Sequence, residues 1–451
     1  MLRAKLYLKN YHIHSNPTKI FCGIFISASE YLHLTNFYAM NLKLRCVVCE
    51  KIYGPEVMYA CPACGVEGIL DVLYDYEQIQ KSFRPEILAK RPQDISRYKE
   101  LLPINETQQL PSTKIGWTPI FAATKLAATL GVARFYIKDE GRNPTASFKD
   151  RASAIGVAKA QELGFADIAC ASTGNAASSL AGAAAAVGLR STIFVPENAP
   201  EPKVMQLLIF GARVVRVKKP ASGISAYEAA YDLCSQACER YGWYNRNCAI
   251  NAYLVEGKKT CGLEIAEQMQ TNLPDWVVVS VGDGCTIAGI GKGLAEMQRL
   301  GWIDKRPRLL GVQAEGAAPI AKTFFEGGEL VPARGDSIAE SIAVSQPRNW
   351  RKAIHAIRES NGTMIVVTDE EILQAQQITA RLGGVFGEPA GVAGIAGLKK
   401  AVASGVIPSA ATVLVVVTGS GLKDISAVRR TVTMPELIDA DLEKLVHYLK
   451  N

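Results

Sequence analysis

From Trp117 onward the chain alternates short apolar runs with longer stretches of helical composition. Ile168 to Ala171 is an apolar run ending in a polar turn, Ala176 to Val187 has helical composition, and Gly188 stands where that helix stops. Ser191 to Val195 reads as a strand, Pro202 to Phe210 as a helix closed by Gly211, and Arg213 to Val217 as another strand. Trp276 to Val281, Leu309 to Val312, Met364 to Val367 and Val413 to Val417 are further β-branched runs with helical stretches between them. Strands that are apolar throughout are buried on both faces, and intervening helices supply the cover. The pattern predicts an α/β fold with doubly wound parallel sheets, in which ligands bind beyond the carboxyl ends of the strands.

With 451 residues, 48% apolar and 21% charged, the chain can bury a large core. It should divide into about two or three domains at roughly 150 residues each. The Ala-rich stretch from Leu180 to Leu189 falls short of the ~18 apolar residues of a membrane span, so membrane insertion is not expected. Net charge is +7. Met1 to Asn36 carries Arg3, Lys5, Lys9 and Lys19 against Glu30, and the remainder shows no basic stripe of the kind that binds nucleic acid. That opening segment has neither a secretory signal's apolar core and cleavage site nor a transit peptide's Arg/Ser richness. Residues 1–39 are read as a basic extension, disordered or arising from an upstream start choice, since Met40 immediately precedes the first module; a weak transit peptide is the alternative.

Cys46-Val-Val-Cys49 and Cys61-Pro-Ala-Cys64 are two C-x2-C knuckles, able to aim four thiolates at one tetrahedral ion. A structural zinc ribbon over residues 40–75 follows; four reduced thiols without a metal are the alternative. The other cysteines, among them Cys22, Cys170 and Cys285, show no pairing logic, which places the chain in a reducing compartment, the cytoplasm.

Three segments carry the chemistry. Asn143-Pro144-Thr145-Ala146-Ser147-Phe148-Lys149-Asp150 puts Lys149 at a loop-to-helix junction, with Ser147 as a candidate cap and the helix running through Lys159. A cation in the first helical turn opposes the macrodipole, so an amine made neutral or held covalently suits that position; a surface lysine at a helix start is the alternative. Ser172-Thr173-Gly174-Asn175 is a polar turn after a strand. Gly282-Asp283-Gly284-Cys285-Thr286 follows another strand and precedes a helix expected near Ile287, a setting in which backbone amides converge on an anion. It is neither the dinucleotide fingerprint nor a P-loop, and a plain tight turn fits it equally. Thr418, before Gly419-Ser420-Gly421, offers a neutral hydroxyl at a fourth strand end. One lysine, one polar turn and one anion loop suit an aldehyde cofactor bearing a phosphate, pyridoxal 5'-phosphate.

Gly116-Trp117-Thr118-Pro119, Asn143 to Asp150, Ser172 to Asn175, Val281 to Thr286, Glu388-Pro389-Ala390 and Thr418 to Asp424, in this order, resemble the threonine synthases among fold type II (tryptophan synthase beta-like) pyridoxal phosphate enzymes. The resemblance implies Lys149 as the Schiff-base lysine, Asn175 at the cofactor's phenolic oxygen, Gly282, Asp283, Gly284, Cys285 and Thr286 at its phosphate, and Thr418 at the ring nitrogen. It implies conversion of O-phospho-L-homoserine and water to L-threonine and phosphate, with Lys149 as general base and acid, and a homodimer. Ser172 and Thr173 would contact the amino-acid substrate.

Two positions depart from the family pattern. Ala176 replaces a hydroxyl residue and Leu254 an arginine, so either another cation, Lys203, Lys258 or Lys259, meets the substrate phosphate, or the substrate differs. A serine/threonine dehydratase or a cysteate or cysteine synthase would keep the same lysine and loop. A ribbon-based interaction module and a cofactor-holding regulator without turnover are the readings from other classes. The expected organisation is a catalytic unit over 76–434 with a smaller subdomain, about 159–246, inserted, and a C-terminal helix over 435–451.

Overall fold

The computed structural model describes residues 42–56, 59–105, 108–221 and 224–450; the extension expected over 1–39 lies outside them. Strands β1 (Lys43–Cys46), β2 (Ile52–Tyr53), β3 (Ala60–Cys61) and β4 (Gly65–Leu73) form an antiparallel sheet in the order β2-β1-β4-β3. The Sγ atoms of Cys46, Cys49, Cys61 and Cys64 lie within 4.8 Å of one another.

A six-stranded sheet follows, built from β5 (Ile120–Ala122), β6 (Arg134–Asp139), β11 (Trp276–Ser280), β12 (Arg308–Ala314), β13 (Thr363–Val367) and β14 (Thr412–Val417), in the order β13-β12-β11-β14-β6-β5. All its pairings are parallel except β5 with β6. Alternate residues face opposite layers: Val277, Val279, Leu414 and Val416 join one apolar core, and Val278, Val413, Val415 and Val417 the other. Both faces are covered, which is why these strands read as unbroken apolar runs. A second, parallel sheet of β7 (Asp167–Ala171), β8 (Arg190–Pro196), β9 (Arg213–Val217) and β10 (Tyr244–Asn245), in the order β10-β7-β8-β9, has its own core around Ile168, Leu180 and Ile193. It falls in sequence between β6 and β11.

The helices that position the site are α1 (Lys149–Glu162), α2 (Asn175–Val187), α3 (Glu201–Ile209), α4 (Ala252–Gln268), α5 (Cys285–Arg299), α6 (Trp350–Glu359) and α7 (Pro389–Ala403), while α8 (Leu442–Lys450), in the region expected as a C-terminal helix, buries no residue. Among the described residues no helix is long and apolar enough to cross a membrane. Helices α1 and α4 approach so closely that a Cβ at Gly257 would lie 2.2 Å from the Arg151 carbonyl oxygen, so position 257 admits only glycine.

Strand β6 escaped the apolar pattern because Arg134, Lys138 and Asp139 break it, yet Lys138 is fully buried. It belongs to an ion network in the core. The Arg151 guanidinium binds Glu140 through Nε and Nη2, at 2.7 Å each, and Glu264 through Nη1 and Nη2, at 2.6 and 2.7 Å. Lys138 adds a 2.8 Å contact to Glu264, and all four side chains have zero exposure. Burial opposes each charge, but Arg151 and Lys138 hold the Glu264 carboxyl down to about 2.

Removing one member strands its partners. Arg151→Met is expected to destabilise the fold by about 3–5 kcal/mol, measured as a lower denaturant midpoint at unchanged slope.

Candidate active site

Lys149 is the first residue of α1, and the loop before it is pinned from several sides. Asn143 Oδ1 accepts the Gly116 N–H at 2.9 Å while its Nδ2 donates to Glu140 Oε2 at 2.9 Å, tying the loop to the ion network. Asp150 folds back to accept the Thr145 N–H at 2.7 Å and the Thr145 hydroxyl at 2.5 Å. Ala146 sits in the left-handed region at φ 60°, a strain of roughly 1–3 kcal/mol that such bracing sustains. The Thr418 carbonyl accepts the Phe148 N–H at 2.8 Å, and the Ala146 carbonyl accepts the Ser420 N–H at 3.1 Å. Ser147, expected as the cap, is corrected: Phe148 holds that position without a side-chain cap, and Ser147 Oγ only receives the Lys149 N–H at 3.4 Å. Asp150 and Thr418 shape the turn instead.

Among the described residues, the Lys149 ammonium makes no hydrogen bond or ion pair. Burial, and then the charge of Lys258, bring its pKa down to about 8. Its electrostatic neighbours include Cys248, Cys285 and Arg246 on one side and Glu388 on the other.

Strand β11 runs into Gly282-Asp283-Gly284, and α5 begins at Cys285, two residues before its expected start at Ile287. Gly284 has φ 92°, and a Cβ there would lie 2.8 Å from the Asn349 carbonyl oxygen. The Asp283 carbonyl accepts the Asn349 N–H at 3.1 Å, while its carboxylate takes the Arg348 N–H at 2.8 Å and the Cys285 thiol at 3.0 Å. That carboxylate braces the loop against 348–349; only its peptide N–H is available to an anion. Burial raises the Asp283 and Cys285 pKa values, whereas the Cys285 thiol, Lys258 and Arg246 hold Cys248 low. Free amides at the head of a 15-residue helix, beside Lys149, Lys258 and Arg246, form a donor set that fits a phosphate.

A cleft of about 310 Å³ opens beside the loop that leads to Lys149, with Ala146, Asn175, Lys203, Glu340, Glu388 and Lys423 in its wall. Asn175 Nδ2 donates to Glu388 Oε1 at 2.7 Å, leaving its second amide hydrogen for a ligand. Ser172 Oγ accepts the Gly174 N–H at 3.2 Å and shapes the turn. Thr418 ends β14 beside Gly419, and Thr286 lies on the first turn of α5.

The candidate cations separate. Lys203, on α3, pairs with Glu340 at 2.5 Å across the cleft. Lys258 lies deeper, on α4 near Cys285 and Asp283. Lys259 belongs elsewhere and is withdrawn: it binds Glu256 at 2.7 Å and Glu296 at 2.9 Å and sits 3.8 Å from the Tyr74 ring centroid. Consecutive helical residues point about 100° apart, so Lys258 and Lys259 cannot share one site.

Sequence reading missed Lys423, Arg246 and Cys248 and gave Glu388 no role. Lys423 Nζ donates to Ser178 Oγ at 2.8 Å; burial lowers its pKa against the pull of Glu388 and Asp150. Burial likewise raises the Glu388 carboxyl against Lys423 and Lys149. The Glu-Pro-Ala segment was the one available signal, since Pro389 opens α7 with Glu388 as its cap residue.

Residues 111–419 match the family described as pyridoxal-phosphate dependent enzyme. The threonine synthase of Methanocaldococcus jannaschii is 38% identical over 410 residues, spanning 90% of this chain and 99% of that protein. That of Methanosarcina acetivorans is 38% identical over 406 residues, 89% of this chain and 97% of its own. Two solved structures share the fold: a maize serine racemase (TM-score 0.58, 21% identity, 69% of this chain and 91% of that chain) and a processed threonine deaminase isoform 2 from Solanum lycopersicum (TM-score 0.60, 24% identity, 69% and 86%).

Because Lys149 is depressed to about 8, it is neutral at pH values where an ordinary lysine is still charged. The rate at which the cofactor-free protein captures an aldehyde should rise with pH and level off above about 8, read by borohydride trapping and mass spectrometry; a rise continuing towards pH 10 would refute the depression.

Proposed function

The chain belongs to the pyridoxal-phosphate dependent enzymes, in the threonine synthase family, and on that premise we propose that it converts O-phospho-L-homoserine and water to L-threonine and phosphate. The observation that carries this reading is one unpaired amine, Lys149, whose electrostatic neighbours include Cys285 of the glycine loop and Glu388 of the cleft wall. Pyridoxal phosphate, when bound, supplies an aldehyde that takes an amine and a ring that withdraws electrons from the carbons next to it. Lys149 would hold that aldehyde through its amine, and the same amine would move protons at the substrate's Cα and Cβ. A lysine of pKa about 8 is available in both protonation states for that work.

The peptide N–H groups of Gly282 to Thr286 hold the cofactor's phosphate. Asn175, held by Glu388, would donate to the phenolic oxygen, and Thr418 would offer its uncharged hydroxyl to the ring nitrogen, a partner that favours elimination and replacement chemistry. Ser172 and Thr173 present their turn to the substrate carboxylate. Lys203, on the smaller sheet's α3, reaches Glu340 across the cleft, and closure there excludes water until the elimination is complete. Ala176 and Leu254 favour a second reading, a sibling enzyme with another substrate; product analysis with phosphohomoserine, serine and threonine separates the two.

The four-cysteine cluster fits zinc. Tetrahedral Zn–S bonds of about 2.3 Å place sulfurs about 3.8 Å apart, and Cys49 and Cys61 Sγ lie 3.7 Å apart. Zinc there is structural, and β4 carries its effect to the catalytic unit: Lys292 of α5 and Lys352 of α6 both grip Asp71, each at 3.1 Å. The cytoplasmic reading is supported by the described cysteines, all of which are free. The homodimer rests on resemblance and is tested by light scattering.

Lys149→Ala should abolish turnover of phosphohomoserine and the visible absorbance of the bound cofactor while the protein stays folded; retained turnover sinks the proposal. Cys61→Ser should abolish bound zinc by elemental analysis and lower the melting temperature; a metal content equal to wild type would exclude the ribbon as the zinc site.

A further inference from the structure

Two thiols beside the glycine loop have no part in the chemistry described above. Cys285 opens α5, and Cys248 lies in the turn that leads into α4. The Cys285 sulfur is 3.0 Å from Asp283 Oδ2 and 3.5 Å from the Cys248 carbonyl oxygen, and its thiol also hydrogen-bonds the Cys248 side chain. The turn is pinned where it stands. Asn349 Nδ2 donates to the Cys248 and Ala249 carbonyls at 3.4 and 3.3 Å, and Arg246 Nη1 approaches Cys248 Sγ at 3.8 Å. Cys285 is 2% exposed and Cys248 half-buried, so a small oxidant meets Cys248 first.

The pair is asymmetric in the way that an attacking and a resolving cysteine must be. A sulfur attacks as its thiolate. The Cys285 thiol, then Lys258, Arg246 and Lys149, hold the Cys248 thiol well down, whereas burial, Cys248 and Asp283 keep the proton on Cys285. Contact between two cysteines does not suffice for this. Cys234 also meets Cys238, one turn along the helix Ala226–Tyr241, but only thiols and burial act on it, and they push it up.

We propose that Cys248 and Cys285 are a peroxide-sensitive dithiol, whose disulfide ties the turn before α4 to the first residue of α5 and switches off the glycine loop. The Cys248 sulfur attacks a peroxide oxygen, and the O–O bond breaks with its electron pair going to the departing alkoxide or hydroxide. Cys248 is left as a sulfenic acid. The Cys285 sulfur then attacks that sulfur, the S–O bond breaks, and the hydroxide leaves as water with the Cys285 proton. Each sulfur is oxidised by one electron, the peroxide is reduced by two, and a dithiol reductant reverses the bond. The disulfide ends the Cys285 contact to Asp283, whose carboxylate braces the loop against 348–349, and removes an anionic sulfur from beside Lys258 and Lys149. The loss of activity that follows rests on the functional reading above; the disulfide does not.

The test exposes the holoenzyme to hydrogen peroxide at neutral pH, blocks the remaining thiols with iodoacetamide in denaturant, and maps peptides by mass with and without dithiothreitol. A Cys248–Cys285 disulfide, lost on reduction, should form about 10-fold faster than Cys170, Cys234 or Cys261 is oxidised, because a thiol of ordinary pKa is only a few per cent thiolate near pH 7. Turnover of phosphohomoserine should fall about 10- to 100-fold as the disulfide accumulates, and return with dithiothreitol. In Cys285→Ser the sulfenic acid should persist at Cys248 and be captured by dimedone; should that variant misfold, the wild-type map decides alone.

Cys248 and Cys285 both remaining alkylatable after the ribbon cysteines are oxidised would overturn the proposal. So would a complete disulfide with turnover unchanged. A wild-type enzyme that ignores phosphohomoserine would defeat the functional reading alone, and the peptide map would still decide whether the dithiol closes.

Discussion

The burial of one guanidinium between two carboxylates is the constraint on which the rest of this structure depends. Arg151 lies two residues after Lys149 and holds Glu140 and Glu264 at full burial. Glu140 takes the Thr118 hydroxyl and the Asn143 amide, and Glu264 takes Lys138. The network therefore joins the Trp117 turn, strand β6, the loop before Lys149 and helix α4. Such a network is weak evidence for net stability, because desolvation consumes most of the Coulombic gain. Its value here is geometric: bidentate contacts leave α1 one register against α4, and so fix where the first residue of α1 points.

A second constraint is electrostatic. Lys149 is half-buried and Lys258 buried, each feels the other's charge, and their surroundings push them in opposite directions. The difference is the company each keeps. Sulfur and carboxylate near Lys258 favour the ammonium, while Lys149 has desolvation and two neighbouring cations, Lys258 and Arg246, against it. One residue type thus takes two protonation tendencies from two surroundings. The glycine loop completes the arrangement by presenting amides rather than side chains, with the Asp283 carboxylate turned to the 348–349 backbone.

The four-cysteine ribbon also enters through long-range contacts. Helices α5 and α6 both start at the anion loop, and side chains further along them, Lys292 and Lys352, clasp the ribbon's longest strand. Order in the ribbon thereby supports the two helices whose first turns frame the glycine loop.

Much of this was legible in the residues. Buried parallel strands must be apolar on both faces, so β11, β12, β13 and β14 announced themselves, and C-x2-C spacing needs only local geometry. Lys149 and the glycine loop were visible because each sits at a strand end or helix start, where short-range rules apply. Strand β6 was hidden because Lys138, inside it, is neutralised by Glu264, a residue of a distant helix. The separation of Lys203, Lys258 and Lys259 was equally invisible. Chain pattern alone determines which segments are strands, helices and polar turns, because that depends on neighbours a few residues apart. Only the tertiary structure decides which buried charges meet, because pairing energies are set by distance in space and by the water excluded between helices that sequence places far apart.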